Sequence, residues 1–381
     1  MLTTLIPKKQ NELADVIRIL IYKEDASILT KLNLEDDQIF IEPLLMAYFN
    51  RTQVAEKVFP DGMLPELMQG YLTDMQQLNV HAICNTEGIG YVPTIGYLKK
   101  GEATPFEKLH FIPDTTIEVV KYRVPLLRNI LGIVSMNDPI KEEELIMNEA
   151  LFTQNISSLT TAITHLRNSI PNHFSLIQMC LKKCVFYQLK DRFSRSFASI
   201  NANGCLFITI PNGKEKEDEI YFINEVGKLT GKIMHTSLFH NQQEMFKIDH
   251  RTRASEVIED EEDRRNVYTL FNNLFMNVSA MMCLESCITS NIFTNEQQQD
   301  AKTRLALYLK KYEVDIKKME AIIAHFGDLK SVFVEDGVKI YNFMTTNAET
   351  ITKTHSELLS VFDFTGFFYR MEYSDFSMRN S

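Results

Sequence analysis

Residues 221–240, YFINEVGKLTGKIMHTSLFH, hold the most specific arrangement of chemically capable side chains in the chain. On a helix, Asn224 and Lys228 lie four apart and project from one face, with Glu225 between them. That is the layout of an H-E-x-x-H metal site, where two imidazoles bind the ion and the glutamate acts as a base. Here an amide and an ammonium fill both ligand positions. A neutral amide is a poor ligand for a transition metal, and an ammonium repels the cation until it loses its proton. Without an ion-bound water, Glu225 has nothing to act on as a base. Its ordinary role would be that of a first-turn carboxylate favoured by the helix dipole.

Two other groups of residues could do chemistry. His235, His240 and His250 form the densest histidine cluster, at spacings of five and ten. They are the alternative metal ligands if the site has moved. His235 shares the Asn224 face to within about 20°, but it lies about 16 Å further along the axis, too far to fill the same site. The pairs Cys180/Cys184 and Cys283/Cys287 are both C-x3-C, which on helices share a face. Zinc sites use four ligands with turns between them, so small buried thiols on helix faces are the better reading.

The elements that must position these residues follow from periodicity. Helical spacing covers residues 12–22, 43–58, 63–78, 141–166 and 174–186, the fourth preceded by Pro139. Residues 91–98 and 116–122 look extended. Asn203-Gly204 is a turn signal, and Cys205 to Ile210 is a buried-strand run closed by Pro211-Asn212-Gly213. A charged loop, KEKEDE, leads into a helix over 220–239. Further helices are expected over 267–286, 297–325 and 348–362, with an aromatic, extended close over 364–373. The fold class is α+β, helix-dominated. Two domains are expected, a mostly helical region over 1–170 and an α+β domain over 171–381.

Composition narrows the class of function. With 40 Lys plus Arg against 50 Asp plus Glu, the formal charge is −10. That argues against a nucleic-acid binder, which carries a clustered basic footprint. The acidic run over 256–263 reads as a solvated segment. Six cysteines are sparse for a disulfide scaffold. No stretch of about 18 apolar residues suggests a membrane span, and the start lacks the apolar core of a signal peptide. A soluble, reduced, cytoplasmic protein is expected.

The surroundings of NEVGK add a resemblance. SFASINANGCLFITI, then an acidic loop, then YFINEVGKLTGKI resembles the HExxH-motif proteins of ribosomal peptide natural-product maturation. Some of that family are iron- and 2-oxoglutarate-dependent peptide β-hydroxylases. Its pattern continues with an arginine-rich stretch, a tyrosine and FHxLY, matched here by DRRNVYTLFNNLF. The resemblance covers about residues 190–325, and it implies a zincin-like helix-and-strand core following the helical N-terminal region. It also implies that Asn224, Lys228, Lys232 and Asn272 stand where the family has histidines. Glu225, Gly227, Gly231, Arg264, Arg265 and Tyr268 match the pattern. Lys228, Lys232, Arg264, Arg265 and Tyr268 would then be available to bind an anion or a peptide, with Asn272 turned towards Asn224 and Lys228; the two arginines could equally pair with the adjacent acidic run.

The implied function is a metal-free pseudoenzyme or accessory protein without a cofactor. It would bind a precursor peptide or a maturation-enzyme partner. One alternative is an active iron- and 2-oxoglutarate-dependent peptide-modifying enzyme with relocated ligands. Another is a general interaction scaffold, for which 17 methionines and 25 phenylalanines could line a groove. For most of these residues, filling the core is the simpler account.

Overall fold

In the computed structural model, residues 1–50, 60–74, 77–121, 124–136, 141–145, 149–190, 195–211, 217–258 and 263–380 are described. The chain groups into two compact units, one comprising Thr4–Thr160 with Gln178–Glu217, the other Met1–Thr3, Thr161–Ile177 and Asp218–Ser381. This grouping does not follow a single cut near residue 170. Residues 178–217 belong with the N-terminal part because their strands pair with one from residues 118–120.

The N-terminal unit opens with helices α1 (Leu2–Leu29), α2 (Asp37–Phe40), α3 (Pro43–Asn50) and α4 (Met63–Met68). The helix expected over 63–78 stops early. A 3-10 turn, Gln69–Tyr71, takes over where Gly70 lies against the Pro93 carbonyl, closer than a Cβ would permit. Strands β1 (Ile89–Val92) and β2 (Gly96–Lys99) form an antiparallel hairpin. Then come β3 (Glu118–Val120), α5 (Pro125–Met136), α6 (Glu149–Ser169) and α7 (Pro171–Cys180), of which the stretch Thr161–Ile177 belongs to the C-terminal unit. Strands β4 (Lys183–Tyr187), β5 (Phe197–Ala198) and β6 (Cys205–Thr209) complete a mixed sheet of order β3-β4-β6-β5. Its first three strands are parallel, and β5 is antiparallel to β6.

The helix expected over 174–186 is therefore a helix followed by a strand. KCVFY is β-branched and aromatic, and parallel pairing on both sides satisfies its backbone. Cys180 and Cys184 consequently do not share a helix face. All six cysteines are free. Parts of several expected segments lie outside the described residues: 51–58, 75–76, 122, 139, 146–148, 212–216 and 259–262.

The C-terminal unit is built of helices. Besides the Thr161–Ile177 part of α6 and α7, they are α8 (Glu219–Leu238), α9 (Ala254–Ile258), α10 (Val267–Ile288), α11 (Asn295–His325), α12 (Leu329–Val332), α13 (Glu335–Thr354), α14 (Leu358–Val361) and α15 (Tyr373–Arg379). Helix α13 begins well before the 348–362 expected from spacing, and 364–373 forms no named strand. Among the described helices, α10 alone has the length and hydropathy to cross a membrane, yet its apolar window is 72% buried within the protein. It packs against α8, α11 and α13 and is the core helix of its unit.

Glycines set the closest of these contacts. A Cβ on Gly227 would meet Cys283 Cβ at 2.9 Å, and one on Gly231 would meet Met276 Cα at 3.0 Å. Higher numbers on α8 thus face lower numbers on α10, so the two helices run antiparallel. Overpacking such a contact costs about 1–3 kcal/mol. Gly231→Val is expected to lower stability by that amount in urea unfolding, whereas Lys232→Val, one residue along on the same helix, should change it little.

Candidate functional site

Helix α8 starts cleanly because the Asp218 carboxylate accepts from the Tyr221 backbone N–H at 2.8 Å. Glu219 is the first-turn acid, and its carboxylate is held by Gln297 Nε2 at 2.7 Å. Glu225 lies a turn further on and is buried, so the dipole role expected for it belongs to Glu219 instead.

Glu225 is closed off by its own neighbours. Asn224 Nδ2 donates to Glu225 Oε1 at 2.7 Å, and Lys228 Nζ approaches the same oxygen at 3.4 Å. Burial pulls the Lys228 pKa down. The Glu225 carboxylate, helped by Tyr308 and Glu372, outweighs burial and leaves the pKa raised. The ammonium therefore keeps its proton. Burial raises the Tyr308 pKa, while the Lys228 charge and a hydrogen bond with Asn224 oppose that rise. Tyr308 comes from α11, so the face carrying Asn224 and Lys228 is covered by α11 and the segment around Glu372.

Asn272 does not join this group. Gly231 faces Met276, and Asn272 is one turn from Met276, at about the level of His235 on α8. Asn224 lies 11 residues from His235, so Asn272 is separated from it by about 16 Å along the axis. The antiparallel register, which the residue pattern does not reveal, causes this separation. Asn272 is instead buried with its Nδ2 3.5 Å from Met276 Sδ.

Arg265 is buried and fully engaged. Its Nε and Nη2 donate to Asp263 at 2.9 and 2.6 Å, and its Nη1 and Nη2 donate to Asp315 at 2.9 and 2.7 Å. The guanidinium also lies 4.1 Å from the Tyr369 ring centroid. Burial opposes its charge, but the two carboxylates raise its pKa. Asp263 also accepts from Lys318 Nζ at 2.8 Å. Burial raises the Asp263 pKa, but Arg265 and Lys318 bring it well below the usual carboxylate range. In Asp315, which shares only the arginine, burial wins and the pKa is raised. Arg265 thus has no fork left for an outside carboxylate. Arg264 is exposed, and Lys232 is half-buried on α8.

The histidine trio is not a ligand set, and among the described residues no three His, Cys, Asp or Glu side chains are placed to hold a metal. His235 is fully buried among the rings of Phe239, Tyr268, Phe271 and Phe275, at centroid distances of 5.9, 5.2, 5.7 and 6.0 Å. Both of its ring nitrogens lack partners, and burial pushes its pKa down to about 3. His250 Nδ1 pairs with Gln243 Oε1 at 2.7 Å, and His240 is half-buried. Tyr268 packs between His235 and His250, with burial raising its phenol to about 12. The relocated-ligand reading fails because His235 is a core residue.

No known protein-family model and no curated protein matches this chain.

The donor set does not suit the iron and 2-oxoglutarate that the resemblance brings to mind. The ligand positions hold a charged lysine and an amide committed to Glu225, and the arginine that could grip a 2-oxo acid is held by Asp263 and Asp315. Sequence reasoning missed two members of this region, Tyr308 and Lys311. Arg304, Tyr308, Lys311 and Asp315 recur at steps of four, three and four along α11, a polar stripe at helical spacing.

Proposed function

We propose that this chain is a metal-free accessory protein that binds a precursor peptide or a maturation-enzyme partner and does not itself modify the peptide. The observation carrying this reading is the closed Asn224–Glu225–Lys228 group. The positions of an H-E-x-x-H site are filled by a salt-linked set whose lysine keeps its charge. Such a set repels a divalent cation and leaves the glutamate without an ion-bound water. The zincin-like reading of the core rests on chain order, a strand (β6) followed by a charged loop and then α8. The separation of Asn272 from Asn224 counts against descent of that residue from a third ligand.

Metal analysis tests it. Protein purified from cells supplied with iron and zinc is expected to carry substoichiometric metal. The double variant Asn224→His, Lys228→His should gain metal, because it restores two imidazoles flanking a carboxylate. Stoichiometric metal in the natural protein, lost in Lys228→Ala, would overturn the proposal.

A further inference from the structure

We propose that α1 carries a homodimer interface. Its outward face, centred on Val16, Ile19 and Tyr22, docks antiparallel on the same face of a second copy of this chain.

Ala14, Ile17, Ile21 and Ile28 share one side of α1 and enter the core of the N-terminal unit. Val16, Ile19 and Tyr22 lie on the opposite side, at 52, 53 and 65% exposure. Three residues apart from one to the next, they share about 120° of helix surface. Leu34, also exposed, adjoins them, because its carbonyl accepts from Arg18 Nη2 at 2.7 Å. Single exposed apolar side chains are ordinary, but a contiguous group on one face marks an interaction site. The surrounding charges decide the occupant. Glu12 and Asp15 flank the stripe towards its N-terminal end and Lys23 towards its C-terminal end. All three are exposed and lie within about 40° of Ile19 around the helix. A parallel second helix would set acid on acid. An antiparallel one, in the register that brings Val16 onto the second copy's Ile19, brings Glu12 onto the second copy's Lys23. Glu12 and Lys23 lie on the same flank of the stripe, and the two-fold axis of an antiparallel pair keeps each flank on its own side. On the other flank, Asp15 comes beside the hydroxyl of the second copy's Tyr22, a donor for its carboxylate. Each contact occurs twice, as an isologous interface requires. Within one chain, Glu12 accepts from Lys9 at 2.7 Å and Asp15 from Arg18 at 2.8 Å. Such exposed pairs one turn apart contribute little and are readily shared with an incoming donor. The seam lies between Pro7 and the non-helical Asp25 and is about 16 Å long from Glu12 to Lys23. It is shorter than a standard interface of about 1,200–2,000 Å² needs, so the dimer is weak and depends on concentration.

Sedimentation velocity of the purified full chain, from about 1 to about 100 µM, reads the interface in the range where weak complexes saturate. The weight-average mass is expected to rise towards twice that of the chain. Ile19→Glu puts a carboxylate at the centre of the seam and is expected to abolish the rise. Lys23→Glu should weaken dimerisation severalfold, and the double variant Glu12→Lys, Lys23→Glu should restore it, because exchanging the two charges keeps each pair opposite in sign. All these positions are exposed, and circular dichroism confirms that each variant keeps its helices. A chain that stays monomeric over the whole range overturns the proposal, as does a dimer that survives Ile19→Glu. A double variant as weak as Lys23→Glu alone also overturns it, because the antiparallel register requires the exchange to restore the pair.

Discussion

Lowering the pH from 7 to 5 is expected to cost the C-terminal unit about 4 kcal/mol of stability, well before its carboxylates protonate. The cause is two buried neutral histidines. Burial among four aromatic rings holds His235 at about 3, and burial holds His173 at about 4. His173 has one ring nitrogen on Ser279 Oγ at 3.1 Å and the other without a partner. In the unfolded chain both titrate near the ordinary value of about 6.5. Above that pH neither state is protonated and nothing is lost. Below it the unfolded chain takes up protons that the folded unit refuses, so each histidine removes about 1.4 kcal/mol per pH unit until its folded pKa is reached. At pH 5 each has lost about 2 kcal/mol, against a total of about 5–15 kcal/mol for a typical domain. Urea unfolding at pH 7, 6 and 5 measures the slope directly. His235→Phe suits the ring cage, removes two unpartnered nitrogens and should halve the slope. A stability that is flat from pH 7 to 5, or a slope untouched by that variant, would show that His235 is not held neutral.

The same residue shows how far the sequence could be read. The boundaries of α8, α10 and α11 follow from capping residues and apolar spacing, which are local signals. Asp218, Asn266 and Thr294 each accept from a backbone N–H in the first turn of the helix that follows. The strand β6 was legible for the same reason. Residues 174–186 were ambiguous because a short apolar run fits both periods until its neighbours are known. His235 looked like a ligand because a histidine carries the same letter in a metal site and in a core. Only tertiary packing surrounds it with rings. Asn272 was placed on the correct helix and on a face turned towards α8, but nothing in the sequence states the antiparallel register. Gly227 and Gly231 permit a close approach, but nothing in the sequence states which residues of α10 meet them.

The resemblance makes Arg265 an anion-binding residue, and its surroundings make it a structural one. The two roles predict opposite results for Arg265→Met. The native guanidinium satisfies two carboxylates, Asp263 at 1% and Asp315 at 2% exposure. Without it, Asp263 keeps Lys318, but Asp315 is left as a buried carboxylate with no hydrogen-bonded cation among the described residues. Removing one member of such a buried set costs about 3–5 kcal/mol, because the remaining charge stays desolvated. The variant is therefore expected to lose that much in urea unfolding. Adding Asp315→Asn should recover part of the loss, since the stranded charge goes with the carboxylate. Arg265→Lys should fall between the two, keeping a charge but losing the fork that reaches both acids. If Arg265 instead served an outside carboxylate, Arg265→Met would leave stability unchanged and abolish peptide binding. Measuring both quantities on one set of variants decides between the roles. The stability outcome would make Arg265 part of the packing of this unit and remove it from anion recognition.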